Sequence, residues 1–543
     1  MDFVLALHSH LPYVLHHGRW PHGSDWLCEA ALDSYLPLLE QLQALAASDT
    51  PAPLTIGFTP VLANQLASPA FAQELEAFFD QREAACREAA AALAATGDTA
   101  LLPVVDFWAA RFGRLRRLFH SLDRDIVAAF RRLQDAGRLE IIGSAATHGY
   151  LPLLARDESI RLQLAVGRRE HQRLFGRDPV GCWLPECAYR PRAGTRPGIE
   201  EHLAAAGFRY FFTDAHLAQA GEPLGTYAEV PLGAERFDVE RADTPAGTAA
   251  RPVRSPYRAY RVTPPRAKPS VAALVRDPRS SMQVWSRHRG YPGDEWYLEF
   301  HKIRWPGGLK LWRVTGPDVD LGAKRPYEPA RALERAREHA RHFAHLVAGI
   351  AGERGAGVVV APFDTELFGH WWFEGVDFLA AVYRELGHHP TVRPATASQH
   401  LADHAPRVGL RLAEGSWGVN GDHTMWLNDR TAWTWPRLRA LEDAFWTTAR
   451  RALASPAARP ALAQAARELL LAQASDWQFM ISTGAVPDYA ERRFKLHCDD
   501  AERLLATLTS GSAGDGAHLV AELERRDGLF PNVLEAVAEV VGA

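Results

Sequence analysis

The sequence predicts an α/β fold in which about seven parallel strands roll into a closed or nearly closed barrel, with a helical insertion and a helical C-terminal region. Three observations predict it. Short apolar runs alternate with long amphipathic stretches through the first three quarters of the 543 residues, and strand–helix alternation builds parallel sheets. Some runs are apolar throughout, as in 357–361 (GVVVA), which suits strands buried on both faces. Polar, ionisable and aromatic residues gather directly after the runs, where barrels of this architecture build their active sites.

Taken in order, the first run, 3–7, leads into His8-Ser9-His10, and the second is 54–57. Residues 69–132 carry helical spacing with almost no strand signal, so they read as a helical insertion. The third run, 139–143, ends at Ser144, with Thr147-His148-Gly149-Tyr150 close behind, and an amphipathic helix is expected over 160–175. The fourth, 180–184, delivers Pro185-Glu186-Cys187, and the fifth, 210–213, delivers Asp214-Ala215-His216. Residues 221–269 are rich in Pro, Gly, Ala and Arg. So long an irregular stretch suggests a functional lid, and a mobile loop is expected over about 215–269. Runs 271–275 and 358–361 flank a long helix over 331–351, and the last run ends in Pro362-Phe363-Asp364-Thr365-Glu366, with His370-Trp371-Trp372 following. Beyond Pro406 the pattern turns helical, with breaks at 456–460, 484–487 and 510–516. Two domains are therefore expected: a catalytic barrel over 1–405 and a helical domain over 406–543 that adds to the substrate groove.

Composition narrows the class of function. With 47% hydrophobic and 23% charged residues and a net charge of −4, the chain is an ordinary globular protein. It carries no field that would draw in nucleic acid or an anionic membrane. Five scattered cysteines suit a reducing cytoplasm better than a disulfide framework. The opening MDFVLALHSH is a poor signal peptide, since it lacks a basic start and His8 interrupts its apolar stretch. No uncharged apolar run is long enough to span a bilayer. The unusual feature is 16 tryptophans, eight of them between Trp371 and Trp477.

Two carboxylates stand out. Glu186 and Asp364 each follow an apolar run and a proline among aromatic residues, surroundings that raise a carboxyl pKa and suit a general acid. A second carboxylate kept ionised nearby would attack an anomeric carbon. Taken singly, each has the plainer reading of a structural carboxylate paired to Lys or Arg; two at matching strand ends among so many tryptophans favour catalysis. Glu366 rivals Asp364, because residues two apart share a strand face. His8 and His10 also share a face, and with His148, His216 and Asp364 they sketch a zinc-hydrolase site. No second tight ligand pair such as H-E-x-x-H accompanies them, so neither a metal nor another cofactor is expected. Indoles offer flat faces for sugar rings and a polar edge. Trp371 sits beside Asp364, Trp285 precedes a Gly/Pro loop, and Trp417 and Trp426 bracket a Gly-rich one. Trp446, inside a helical pattern, reads as core.

The segments LHSHLPYV, SAATHGYLPLL, WLPECAYRP, APFDTELFGHWWFEG and EGSWGVNGDHTMWLN together resemble glycoside hydrolase family 57. RWPHGSDWLCEA, LVRDPRSSMQVWSRHRGYPGDEWYLEF and LAQASDWQFM resemble its 1,4-α-glucan branching enzymes in particular. The resemblance runs from Phe3 to about residue 500. It implies a (β/α)7, incomplete TIM-like barrel with inserted helices and a C-terminal helical domain. Carried over position by position, it implies Glu186 as nucleophile and Asp364 as general acid/base. It further implies substrate contacts at His10, His148, Arg276, Trp285, Gly293, Trp417, Trp426 and Asp476, with Tyr227 on a mobile loop over the site. Ala485 stands where relatives often carry a glutamine. The implied reaction is cleavage of α-1,4-glucan (amylose, glycogen) and transfer to a 6-hydroxyl, with α-glucan as donor and acceptor. Trp417, Trp426 and Trp477 are expected to stack the acceptor. The alternatives are an α-amylase or 4-α-glucanotransferase using the same site, or a metal-dependent hydrolase.

Overall fold

The computed structural model describes residues 1–219, 254–262, 270–285, 290–510 and 513–542. Its centre is a parallel sheet whose seven main strands are β1 (Asp2–Ser9), β2 (Leu54–Phe58), β3 (Leu139–Ser144), β4 (Gly181–Trp183), β5 (Tyr210–Thr213), β7 (Ala272–Val275) and β8 (Val358–Asp364). All seven coincide with the apolar runs of the sequence. Two two-residue strands were not expected: β6 (Tyr260–Arg261), antiparallel to β7, and β9 (Arg393–Pro394), beside β1. The strand order is β6-β7-β5-β4-β3-β2-β1-β8. The Asp277 N–H donates to Val360 O at 2.8 Å, bringing β8 back beside the end of β7 and rolling the sheet into a nearly closed barrel.

Strand periodicity separates two cores. Val4, Ala6, Ile142, Phe212, Leu274, Val358 and Val360 fill the inside, while their neighbours Phe3, Leu5, Ile141, Phe211 and Val359 face the surrounding helices. Side chains two apart share a face, so the inner row on β1 continues to His8 and that on β8 continues to Asp364. These two are direct register partners. The barrel interior thus leads to them at its C-terminal end.

The insertion is built of helices Pro69–Thr96, Leu102–Ser121 and Ile126–Asp135. The first starts and stops where local chemistry dictates. Ser68 Oγ accepts from the Ala70 N–H, Pro69 occupies the first turn, and Gly97 closes the helix at φ 75°, a conformation that favours glycine. Phe78, Phe79, Phe112 and Phe119 are buried there, each stabilising by about 1.5–3 kcal/mol relative to exposure. The C-terminal region consists of helices Thr434–Ala454, Arg459–Ala472, Asp476–Thr483, Pro487–Ser510, Ala513–Asp527 and Val533–Gly542. Arg459–Ala472 runs through their centre, with every residue from Ala461 to Ala472 buried.

Candidate active site

The loops that follow β3 and β4 are stitched to C-terminal segments by backbone pairing. Tyr189 and Gly415 exchange N–H···O bonds of 2.8 and 3.0 Å, the Trp417 N–H donates to Glu186 O, and the Ser475 N–H donates to His148 O. The pairing forces unusual backbone: His148, Glu186 and Cys187 take φ of 59°, 60° and 46°. Such conformations cost of order 1–3 kcal/mol each for non-glycine residues and persist where the surroundings over-determine them, typically at functional sites.

The side chains of Glu186 and Asp364 are held in opposite ways. Trp417 Nε1–H donates to Glu186 Oε2 at 2.8 Å, and Ser475 Oγ donates to Oε1 at 3.5 Å. A chain of neutral imidazoles stands behind that serine. His8 Nε2 meets His148 Nε2 at 3.0 Å, and His148 Nδ1 meets Ser475 Oγ at 2.9 Å. Burial, then His10, holds both imidazoles well below the usual histidine range. With Ser475 donating to the carboxylate, His148 donates from Nδ1 and accepts from His8 at Nε2. His8 Nδ1 is then left as a bare acceptor, and it has no hydrogen-bond partner among the described residues. The rings form a pile: Trp183 on His8 (4.7 Å, 1°), His8 near His148 (4.9 Å), and His148 on His10 (4.0 Å).

His10 differs from its neighbours. Burial works against its charge, but Asp476, whose two oxygens lie 3.0 Å from Nε2, outweighs burial together with Glu366 and Glu186, and the pKa rises. Of the three stacked imidazoles, His10 is thus the one whose charged form the surrounding carboxylates favour. Burial lifts Glu186 to about 7; Asp476 adds to the rise, while Trp417, His10 and Ser475 oppose it. Asp364 is raised well above the carboxylate range by burial, then by Glu366 and Glu186, with Arg276 opposing. Among the described residues Asp364 has no hydrogen-bond partner, so no fixed donor there stabilises its anion. The expectation of one raised and one ordinary carboxylate is thus modified: both are raised, and Glu186 is restrained by the donors facing it.

Glu366 is not the equal of Asp364. The strand ends at Asp364, and Glu366 falls in a turn, Thr365–Leu367, so the shared strand face does not extend to it. It accepts from Tyr35 Oη–H and from the His10 N–H at 3.1 Å, as a structural acceptor.

Arg276 is buried, bonded to Asp214 Oδ2 at 3.2 Å and to Ser281 Oγ at 3.0 Å. Its guanidinium lies 5.1 Å from the Trp417 ring and 5.9 Å from the Trp285 ring, so these three residues gather in one place. Gly293 ends a turn, Tyr291–Gly293, after the helix Pro278–Trp285 that carries Trp285. Trp371 is 56% exposed and stacks on Phe300 at 4.9 Å, leaving a face open. Tyr227 lies outside the described residues.

Two tryptophans depart from the expectation of open stacking faces. Trp426 is fully buried and lies on Tyr150 at 4.4 Å. Trp477 is fully buried, donates from Nε1 to Leu471 O at 2.8 Å and lies beneath Arg493. Both are packing residues of the C-terminal wall. Trp417 also differs: its indole N–H grips the nucleophile candidate instead of serving only as a platform. Ser475 carries no signal in the sequence beyond its place beside Asp476, yet it bonds both Glu186 and His148. Of the zinc set sketched from sequence, His8, His10 and His148 gather with Asp364 beside His8, while His216 bonds Gly421 O at 2.9 Å, beside Asp214. His10, His148 and Asp476 offer atoms within 4.8 Å that could hold a metal ion, yet each of those ring nitrogens already has a protein partner.

Comparison with known proteins adds identity to this geometry. The family model described as Glycosyl hydrolase family 57 matches residues 4–412, and that described as 1,4-alpha-glucan branching enzyme, C-terminal, matches 437–537. A 1,4-alpha-glucan branching enzyme of Thermococcus kodakarensis is 39% identical over 98% of this chain and 77% of its own length. The crystal structure of the GH57-type branching enzyme of Pyrococcus horikoshii superposes with a TM-score of 0.87 at 39% identity, covering 98% of this chain and 96% of that one. The alpha-amylase AmyC of Thermotoga maritima superposes at 0.82 with 29% identity, over 99% of both chains.

Proposed function

Because the chain belongs to glycosyl hydrolase family 57, we infer that it acts as a 1,4-α-glucan branching enzyme through a retaining double displacement. Glu186 is the nucleophile and Asp364 the general acid/base. Asp364, in its protonated form, gives its proton to the glycosidic oxygen while Glu186 attacks the anomeric carbon and the glycosidic bond breaks. Trp417 orients the carboxylate by binding Oε2, which leaves Oε1, with its long 3.5 Å contact to Ser475, to form the covalent bond. Asp364, now ionised, takes the proton from the 6-hydroxyl of an acceptor chain, and an α-1,6 branch forms with retained configuration.

The observation that carries this reading is the Trp417–Glu186 hydrogen bond. It joins a barrel carboxylate to a segment beyond the barrel strands, so the catalytic centre is complete only with both parts of the chain present. Accordingly we assign the catalytic barrel to 1–405 and the groove-completing helical domain to 406–543, with Trp371, Trp285 and Arg276 lining the glucan path. Transfer outcompetes hydrolysis when the acceptor is held in place and water is excluded. The five cysteines are all free and buried, which supports a cytoplasmic setting.

The test is incubation with amylose, counting reducing ends before and after isoamylase treatment. New isoamylase-sensitive branches with few new reducing ends are expected. Reducing ends alone would mark an amylase, and longer unbranched chains a 4-α-glucanotransferase.

A further inference from the structure

We propose that Phe479 and Leu427 form an additional glucan-binding strip on the C-terminal helices, taking the apolar face of an α-glucan chain just outside the catalytic centre. The inference rests on the branching reading above and extends it to residues that reading does not use.

Phe479 lies on the helix Asp476–Thr483, whose other large side chains, Trp477, Gln478, Met480 and Ile481, are buried. Phe479 alone among them is turned out, 42% exposed, and Leu427 is 41% exposed. Full burial of such a side chain is worth about 1.5–3 kcal/mol, so an outward phenylalanine leaves that stabilisation for a ligand to recover.

Continuity with the catalytic centre identifies the ligand. The same helix begins at Ser475 and Asp476, which bond Glu186 and His10. Phe479 is three residues on from Asp476, roughly 5–6 Å further along one helical face. Behind it runs a line of rings. Tyr150, two residues from His148, stacks on Trp426 at 4.4 Å, and Trp426 faces Phe479 at 6.5 Å and 32°. The first two rings are buried and the last is open, so the line leads from the centre to the surface.

The strip is also held rigid. Asn428 Nδ2 donates to Ser482 Oγ at 2.7 Å, Ser482 Oγ donates to Met425 O at 2.6 Å, and Arg430 Nη1 donates to Ser482 O at 3.0 Å. These bonds pin the Leu427 loop to the Phe479 helix. An apolar surface bordered by polar groups, on backbone already held in place, fits an uncharged sugar ring.

The experiment uses the full chain in a Glu186→Gln background, so that glucan binds without turnover, and measures amylose affinity by calorimetry. Phe479→Ser and Leu427→Ser are each expected to weaken amylose binding about five- to tenfold, the double variant further, with maltotriose affinity unchanged. Phe479→Tyr, which keeps the ring, is expected to bind as the parent does, which separates loss of the platform from loss of fold. Failure of the Glu186→Gln parent to bind amylose would overturn the branching reading itself. A parent that binds amylose while the serine variants bind equally well would overturn the strip alone. So would serine variants that differ from the parent only in sedimentation, since the patch would then serve self-association.

Discussion

The ends of β4 and β8 carry the same functional group and treat it differently. At the end of β4 the backbone is bent into positive φ, and Glu186 is gripped by Trp417 and Ser475 from beyond the barrel strands. At the end of β8 the backbone is regular, and Asp364 stands without a hydrogen bond among the described residues, while its neighbour Glu366 absorbs the local donors. A nucleophile must be aimed, and aiming takes donors that also hold its pKa down. An acid/base must exchange a proton twice per cycle, and fixed donors would hinder that. On the proposed assignment one barrel meets both demands, tying one strand end from outside and leaving the other without a hydrogen bond among the described residues.

Substitutions that erase the contrast should have the largest effect. Glu186→Gln and Asp364→Asn are each expected to lower kcat by about a thousandfold or more, as loss of a nucleophile or acid/base does, with Tm preserved. Rate measurement beside thermal unfolding checks both. Trp477→Ala acts on the other side of the comparison, on packing. Removing a fully buried indole is expected to cost about 3–5 kcal/mol of stability, readable by denaturant unfolding. Trp371→Ala, which strips an open ring, is expected to raise KM with stability unchanged.

Smaller effects sharpen the comparison. On the proposed mechanism Glu186 attacks as the anion, and burial, partly offset by Trp417, puts its pKa at about 7. The kcat/KM of the free enzyme is therefore expected to fall as pH drops through about 7. Trp417→Phe removes an N–H that stabilises the anion. It is expected to lower kcat roughly tenfold and to move the acidic limb to higher pH; a pH–rate profile that keeps its position would contradict the grip. Ser475→Ala, which removes only the longer contact, is expected to cost a few-fold.

Much of this was legible in the sequence because of how the barrel is buried. Strands covered on both faces are predominantly apolar, so all seven main strands stand out as short apolar runs, and the polar residues after them mark the site. The two-residue strands β6 and β9 were illegible, because pairs so short have no periodicity. Trp426 misled because a tryptophan in a Gly-rich loop reads as exposed, whereas Tyr150, far away in sequence, covers it. Ser475 was invisible for the same reason: its meaning comes from Glu186, 289 positions earlier. Glu366 misled by parity, which holds only while the strand continues.

The most direct test of the double displacement is to trap its intermediate. Incubating the protein with a slow 5-fluoro-maltosyl fluoride and mapping the adduct by peptide mass spectrometry should find one maltosyl-sized mass on the peptide that bears Glu186, absent from Glu186→Gln. An adduct on the Asp364 peptide, or no adduct together with an inverted anomeric product by NMR, would contradict it.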